Sequence, residues 1–242
     1  MLKSLILRLL GEENAGRLDY LLRRKPKEAW GALNGQSFRQ RAYSDIMRRI
    51  RFRAIVETGT FRGTTTEFFA RSGLPVYTVE ISRRAYGYAS QRFARERDKV
   101  HVFHGSSPEF LKNLTNDPSF PKSEVFFYLD AHVQDSSRYY KAPLVEELGI
   151  IFNDWNEAVV MVDDFQVPGT NYSYDDWGPG RTLNLACLEP LDHLQLYAFF
   201  PSTGPEGETG AKRGWVVLCR EEGLKNALSE IDRLTPWDKT KV

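Results

Sequence analysis

The sequence predicts an α/β fold built on a largely parallel sheet, with a helical segment in front of it. From residue 54 onward, short apolar runs alternate with amphipathic stretches of helix length, which is typical of βαβ units. The first 50 residues instead indicate two or three helices, interrupted near Lys25-Pro26 and Asn34-Gly35. We therefore expect a helical N-terminal extension over residues 1–53 and one α/β domain over residues 54–242.

The individual elements follow from the positions of the apolar runs. Five runs of strand length alternate with four helix starts, as expected for parallel strands joined by helical crossovers. Two further strand-like runs surround a glycine-rich polar stretch without a long helix between them, which predicts a closing antiparallel pair. The predicted strands are 54–56, 76–79, 100–103, 125–129, 158–162, 194–200 and 214–219, with helices beginning near Thr64, Arg84, Pro108 and Pro143.

Size and composition are those of an ordinary globular domain. The chain has 242 residues, of which 41% are hydrophobic, enough for one sizeable core. The only cysteines, Cys187 and Cys219, are too few for a disulfide framework and favour a reducing, cytoplasmic environment. Residues 1–10 are apolar but contain Lys3 and Arg8, so we expect a helix packed on its own domain or a partner, with a membrane-interface helix as the alternative.

Charge is distributed unevenly along the chain. Residues 1–53 contain 13 Lys and Arg against 5 Asp and Glu, whereas the remainder contains 20 against 27. Such a basic segment could bind nucleic acid or another anionic partner, although basic runs are more often solvated helix faces. Both interpretations remain open, as does the oligomeric state, including a homo-oligomer.

The first predicted strand leads into a glycine turn and then directly into a helix. Gly59 and Gly63 would let the backbone approach a ligand closely and expose N–H groups at the helix start. Glu80 ends the second strand about twenty residues later, where a carboxylate can accept hydrogen bonds from ribose hydroxyls. Together they predict an adenosine-containing ligand. Dinucleotides such as NAD are bound by a Gly-x-Gly-x-x-Gly turn that packs the pyrophosphate against the helix. The turn here, Glu57-x-Gly59-x-x-x-Gly63, lacks that spacing, which favours S-adenosylmethionine over NAD.

Three segments resemble the motifs of class I S-adenosylmethionine-dependent methyltransferases, which have a Rossmann-like sheet. VETGTFRGTTT is similar to their motif I, VYTVEIS to their acidic motif II, and FHGSSPEFL to the adenine-side loop. The likeness covers roughly residues 54–220. It implies that the glycine turn contacts the methionine part of the donor and that the end of the second strand contacts the ribose. The loop after the third strand would then contact the adenine. The implied residues are Glu57, Gly59, Thr60, Gly63, Glu80, Ser106, Ser107 and Asp130.

Carboxylates follow the fourth and fifth predicted strands, which are neighbours in this strand order. Asp130, Asp163 and Asp164 would repel one another unless a cation lay among them, and an oxygen-rich set suits Mg²⁺. The pairing of LDAH with VDDF resembles the metal-dependent O-methyltransferases of the macrocin and cephalosporin-tailoring type. That resemblance implies these three aspartates as metal ligands. It also implies catalytic roles for Asp130 and for His132, the latter in the position of a general base.

The segment 166–182 is a candidate acceptor loop because glycine and proline alternate with Tyr172, Tyr174 and Trp177. These rings could cover an acceptor such as a sugar, or pack as a surface loop. The leading hypothesis is Mg²⁺-assisted O-methylation of a hydroxyl on a small molecule or glycan. The alternatives are a methyltransferase acting on RNA or another anionic macromolecule, and a non-catalytic adenosine-binding module.

Overall fold

The computed structural model describes residues 2–22, 31–131 and 143–238, with side chains from residue 11 onward. Within these ranges, eight strands form one mixed sheet in the order β3-β2-β1-β4-β5-β7-β6-β8. Strands β1 to β5 are parallel, and β7, β6 and β8 continue the sheet in antiparallel pairing. The strands are β1 Ala54–Thr58, β2 Val76–Glu80, β3 Val100–His104, β4 Ser123–Leu129, β5 Asn156–Asp163, β6 Tyr197–Pro201, β7 Trp215–Cys219 and β8 Leu234–Pro236.

Helices cover both faces of this sheet, which is why the central strands are apolar along almost their whole length. On one face, α5 and α6 pack against alternate residues of β4 such as Val125 and Phe127. On the other face, α2 and α3 pack against Phe126 and Tyr128 of the same strand, and α7 joins the same buried cluster. The helices are α1 Leu2–Leu21, α2 Ser37–Arg49, α3 Thr64–Ala70, α4 Arg83–Arg92, α5 Ser107–Asn116, α6 Leu144–Asp154 and α7 Glu222–Ser229.

The sequence prediction of the fold is confirmed. All five parallel strands form where the apolar runs lie, and β6 and β7 form the expected antiparallel pair. Two elements were not predicted: α7, and the three-residue strand β8 that pairs with β6. Strand β8 is Leu-Thr-Pro, with two of its three residues exposed, so it carries almost no apolar signal.

Helix α1 packs against α4 through two glycines. A Cβ atom on Gly16 would lie 1.9 Å from the carbonyl oxygen of Arg84, and one on Gly87 would lie 2.0 Å from that of Glu13. The two backbones therefore touch without intervening side chains. An ion pair between Asp19 and Arg84, with Nη2 and Oδ2 2.6 Å apart, fixes the crossing.

Helix α2 supplies much of the core on the second face. Ala42, Tyr43 and Ile46 are buried along one stripe of the helix, and Tyr43 packs edge-on against Phe126 of β4. The carboxylate of Glu208, in the β6–β7 connection, accepts hydrogen bonds from two backbone N–H groups in the first turn of α2. Among the described residues, no helix is both long enough and apolar enough to cross a bilayer.

Candidate functional site

A cavity of about 860 Å³ opens at the carboxyl ends of β1, β2 and β4, where ligands of open α/β sheets bind. Five of the predicted site residues line it: Gly59, Glu80, Ser106, Ser107 and Asp130. Phe61 and Ile81 add apolar surface, and both are more than half exposed. The cavity therefore combines exposed apolar side chains with polar groups from four loops.

Gly59 brings the turn after β1 against the end of β4. Its φ is +88°, and a Cβ atom there would lie 2.2 Å from the carbonyl oxygen of Asp130. The N–H of Asp130 donates to the carbonyl of Thr58, and the N–H of Gly59 donates to that of Val79, each at 3.0 Å. Only glycine satisfies both the left-handed backbone and the close approach.

Glu80 connects two of the loops that border the cavity. Its Oε2 accepts a hydrogen bond from the Phe61 N–H at 2.6 Å, and its Oε1 accepts one from the Ser82 N–H at 2.7 Å. Burial raises the pKa of Glu80, and these N–H donors oppose that rise. A carboxylate can accept about four hydrogen bonds, and backbone N–H groups of Phe61, Ser82 and Ile81 use three of them, so Glu80 retains acceptor capacity for a ligand hydroxyl.

Ser106 and Ser107 lie at the N-terminus of α5. The Ser106 hydroxyl donates to Glu109 Oε2 at 2.9 Å, whereas Ser107 is almost fully buried. Gly105 precedes them, and a Cβ atom there would meet nothing within 4 Å. The serine loop thus presents backbone and one hydroxyl to the cavity.

Glu57, Thr60 and Gly63 are not among the described residues that line the cavity. The Glu57 carboxylate lies below the turn and accepts hydrogen bonds from the hydroxyls of Thr66 and Thr78, at 2.5 and 2.7 Å. Burial raises the pKa of Glu57 to about 7, although these hydroxyls lower it. Thr60 shares a 2.6 Å hydrogen bond with Thr78. Glu57 and Thr60 therefore hold the turn through side-chain hydrogen bonds, and Gly63, with φ +77°, precedes the first residue of α3.

A buried carboxyl group that sequence reasoning missed lies behind the serine loop. Glu147 of α6 is 0% exposed, and in the described part of the chain neither carboxylate oxygen makes a hydrogen bond of normal geometry, although the hydroxyls of Ser107 and Thr58 lie nearby. Burial raises the pKa of Glu147 to about 7, while the hydroxyls of Ser107 and Thr58 lower it only in part. The Thr58 hydroxyl is itself buried without a partner.

Asp163 is fully buried at the end of β5 and bonded to three side chains. Its Oδ1 accepts from Arg39 Nη1 at 2.6 Å, and its Oδ2 accepts from the Tyr128 hydroxyl at 2.5 Å and from Asn34 Nδ2 at 3.0 Å. Burial opposes ionisation of Asp163, but the Arg39 guanidinium together with the hydrogen bonds from Tyr128 and the Asp164 N–H lowers the pKa of Asp163 below its ordinary value. Sequence reasoning assigned no role to Arg39.

Asp164 and Asp130 complete the predicted metal set. Asp164 forms an ion pair with Arg213, which also pairs with Asp175 of the candidate acceptor loop. Burial and the neighbouring Asp163 raise the pKa of Asp164 to about 7. Burial, followed by the charges of Asp163 and Asp164, raises the pKa of Asp130 well above its ordinary value.

These surroundings do not fit the predicted Mg²⁺ site, because guanidinium groups already neutralise two of the three aspartates. In the parts of the chain that the structure describes, no group of three His, Cys, Asp or Glu side chains could hold a metal ion. His132 lies outside the described residues, so its role as a general base stays a prediction.

The aromatic residues of segment 166–182 divide between the core and the surface. Tyr172 is 3% exposed and its hydroxyl donates to the carbonyl of Gly204, so it packs rather than covers a ligand. Trp177 is partly buried against the same core, and Tyr174 is half-buried. Tyr174 and Trp177 remain candidates for acceptor contact.

Solved structures similar to this chain share its fold. O-methyltransferase TomG from Streptomyces achromogenes, solved with SAM, is 18% identical with a TM-score of 0.54, covering 90% of this chain and 94% of that chain. An O-methyltransferase from Bacillus cereus in complex with SAH has the same identity and TM-score, with 90% and 96% covered. Cofactor-bound Rv0187 from MTB is 20% identical with a TM-score of 0.52, with 90% and 95% covered.

No protein-family model and no curated protein sequence matches the chain. At these identities the structural likeness establishes the fold alone. The chain has the Rossmann-like fold of class I methyltransferases, as its sequence predicted.

Proposed function

We propose that this protein is an S-adenosylmethionine-dependent methyltransferase that acts on a hydroxyl group of a small molecule or sugar. The observation that carries the proposal is Glu80, a nearly buried carboxylate with free acceptor capacity at the border of a cavity in a methyltransferase fold. Ribose hydroxyls are the donors that such a carboxylate recognises at this position.

The remaining lining fits the other parts of the donor. Ile81 and Phe61 supply exposed apolar surface for the adenine ring, and the serine loop supplies polar groups for its edge. Gly59 lines the cavity without a side chain, so the methionine part can lie against backbone at this point of the turn.

When bound, the donor supplies an electrophilic methyl group on a sulfonium. The chain's own contribution is to hold donor and acceptor in line and to exclude water. Asp130 lines the cavity at the end of β4, and there it can orient an acceptor hydroxyl. The predicted base, His132, follows two positions later in the sequence. No step is assigned to Mg²⁺, because the described side chains do not fit it.

The net charge of the basic N-terminal segment overstates what it offers to a nucleic acid, because Arg39 is buried against Asp163. Arg48 pairs with Asp45 and Arg49 pairs with Glu230, but their side chains are 76% and 45% exposed, and exposed ion pairs are weak. The assay below therefore includes RNA, and a hydroxyl on a small molecule or sugar is the proposed acceptor.

A transfer assay tests the proposal. The protein is incubated with methyl-labelled S-adenosylmethionine and panels of phenols, sugars, glycans and short RNAs, and labelled product and S-adenosylhomocysteine are quantified together. Equal formation of both with a hydroxyl compound supports it. Donor binding with no transfer to any acceptor favours a non-catalytic adenosine-binding module, and transfer to RNA alone supports the nucleic-acid alternative.

A further inference from the structure

The Asp163 carboxylate has its acceptor capacity filled by protein donors. Oδ1 accepts from Arg39 Nη1 at 2.6 Å and from the Asp164 N–H at 2.7 Å, and Oδ2 accepts from Tyr128 and Asn34. Two acceptor sites per oxygen are available to a carboxylate hydrogen-bonded in its plane. A metal ion could bind Asp163 only by displacing one of these donors.

Among the donors to Asp163, Arg39 opposes cation binding most strongly, because it carries a full positive charge in the core. Its side chain is 0% exposed, and its guanidinium lies 5.3 Å from the centre of the Tyr128 ring. Its backbone N–H donates to Glu208 at 3.0 Å, which fixes the start of α2. A divalent cation bound to Asp163 would face this guanidinium across a buried, weakly screened space.

Asp164 is paired with a second arginine. Its Oδ1 accepts from Arg213 Nε, and Arg213 Nη2 donates to Asp175 in the loop after β5. Asp164 has a left-handed backbone, with φ +55°. Two guanidinium groups thus oppose the three aspartates at the ends of β4 and β5.

We propose that Arg39 and Arg213 supply the positive charge at this edge of the sheet, and that Asp130, Asp163 and Asp164 bind no divalent cation. Arg39 is then a positioning residue: it holds Asp163 against β4 and ties the N-terminal helix α2 to the site. This inference differs from the Mg²⁺ set predicted from the sequence. It stands independently of methyl transfer, because it concerns charge balance in the free protein.

The test is calorimetric titration of the full chain with MnCl₂, together with thermal melting in the presence and absence of Mn²⁺. Wild type is compared with Arg39→Met, Arg39→Lys and Arg41→Met, the last an exposed arginine on the same helix. We expect no Mn²⁺ binding by wild type, Arg39→Lys or Arg41→Met. Arg39→Met should gain one bound Mn²⁺ per chain and a higher Tm in its presence, because Asp163 has lost its cation.

Two results would overturn the inference. One is binding of a single Mn²⁺ by wild type that Asp164→Asn abolishes. The other is a folded Arg39→Met variant that gains no Mn²⁺ binding. That result would mean that Arg39 is not the group that occupies the place of a cation beside Asp163. If Arg39→Met does not fold, the titration of wild type beside Asp164→Asn decides the question alone.

Discussion

Replacing Glu147 by glutamine should remove most of a pH-dependent loss of stability. Glu147 is 0% exposed, and burial raises its pKa from 4.5 to about 7. The folded protein therefore retains a proton that the unfolded chain releases between these pH values, so stability falls as pH rises and levels off above about 7. One proton per pH unit corresponds to about 1.4 kcal/mol, so the penalty reaches roughly 3 kcal/mol.

Urea unfolding at pH 5 and pH 8 measures this effect as a difference between variants. Glu57 and Asp164, whose pKa values are also raised to about 7, contribute equally to both proteins and cancel. We expect wild type to lose about 2.5 kcal/mol more than Glu147→Gln over this range, because part of the penalty has already developed below pH 5. Glu146→Gln, an exposed neighbour paired with Lys112, should stay close to wild type, because the charge of Glu146 is the smallest of the causes that raise the pKa of Glu147. Parallel pH profiles for wild type and Glu147→Gln would refute the reasoning.

Two glycine substitutions test the close backbone contacts. Gly59→Ala and Gly73→Ala both place a side chain at positive φ, which costs about 1 to 2 kcal/mol, but only at Gly59 would the Cβ atom meet Asp130, at 2.2 Å. Donor affinity measured by calorimetry should therefore fall for Gly59→Ala and be unchanged for Gly73→Ala; equal affinities would contradict the site. Gly87→Ala should lower Tm by several degrees because its Cβ atom would lie 2.0 Å from a carbonyl of α1, whereas Gly223→Ala in α7, with open space around it, should not.

Local patterns were sufficient to predict the parallel sheet and the cavity. Strand β1 is buried throughout, so its apolar run was visible in the sequence, and the glycine turn and Glu80 lie directly after strands. Side chains that follow parallel strands meet at one sheet edge whatever their distant contacts are. Five predicted site residues consequently line the cavity.

Partners far apart in the sequence could not be predicted. Arg39 and Asp163 are 124 residues apart, and nothing near either residue indicates the other. A weaker signal was present: Arg39 lies on the same helical stripe as Ala42, Tyr43 and Ile46. A charged residue on an apolar stripe must be paired or neutralised, and this signal was overlooked.

The same signal was present at Glu147, which shares a stripe of α6 with Leu144, Leu148 and Ile151. Glu57 is a different case. The motif predicted a ligand contact, which stays a prediction, and in the structure the Glu57 carboxylate accepts hydrogen bonds from two threonine hydroxyls. The residue type was informative in each case, whereas the direction of the side chain depended on packing.

The most direct test of the account is calorimetric titration of wild type, Glu80→Gln and Glu109→Gln with S-adenosylmethionine and S-adenosylhomocysteine. Both glutamates line the cavity, but only Glu80 is buried with acceptor capacity for ribose. For each compound, we expect Glu109→Gln to bind with the same affinity as wild type. We expect Glu80→Gln to bind each compound at least about tenfold more weakly than wild type does. Absence of binding by wild type, or undiminished binding by a folded Glu80→Gln variant, would contradict the proposed donor site.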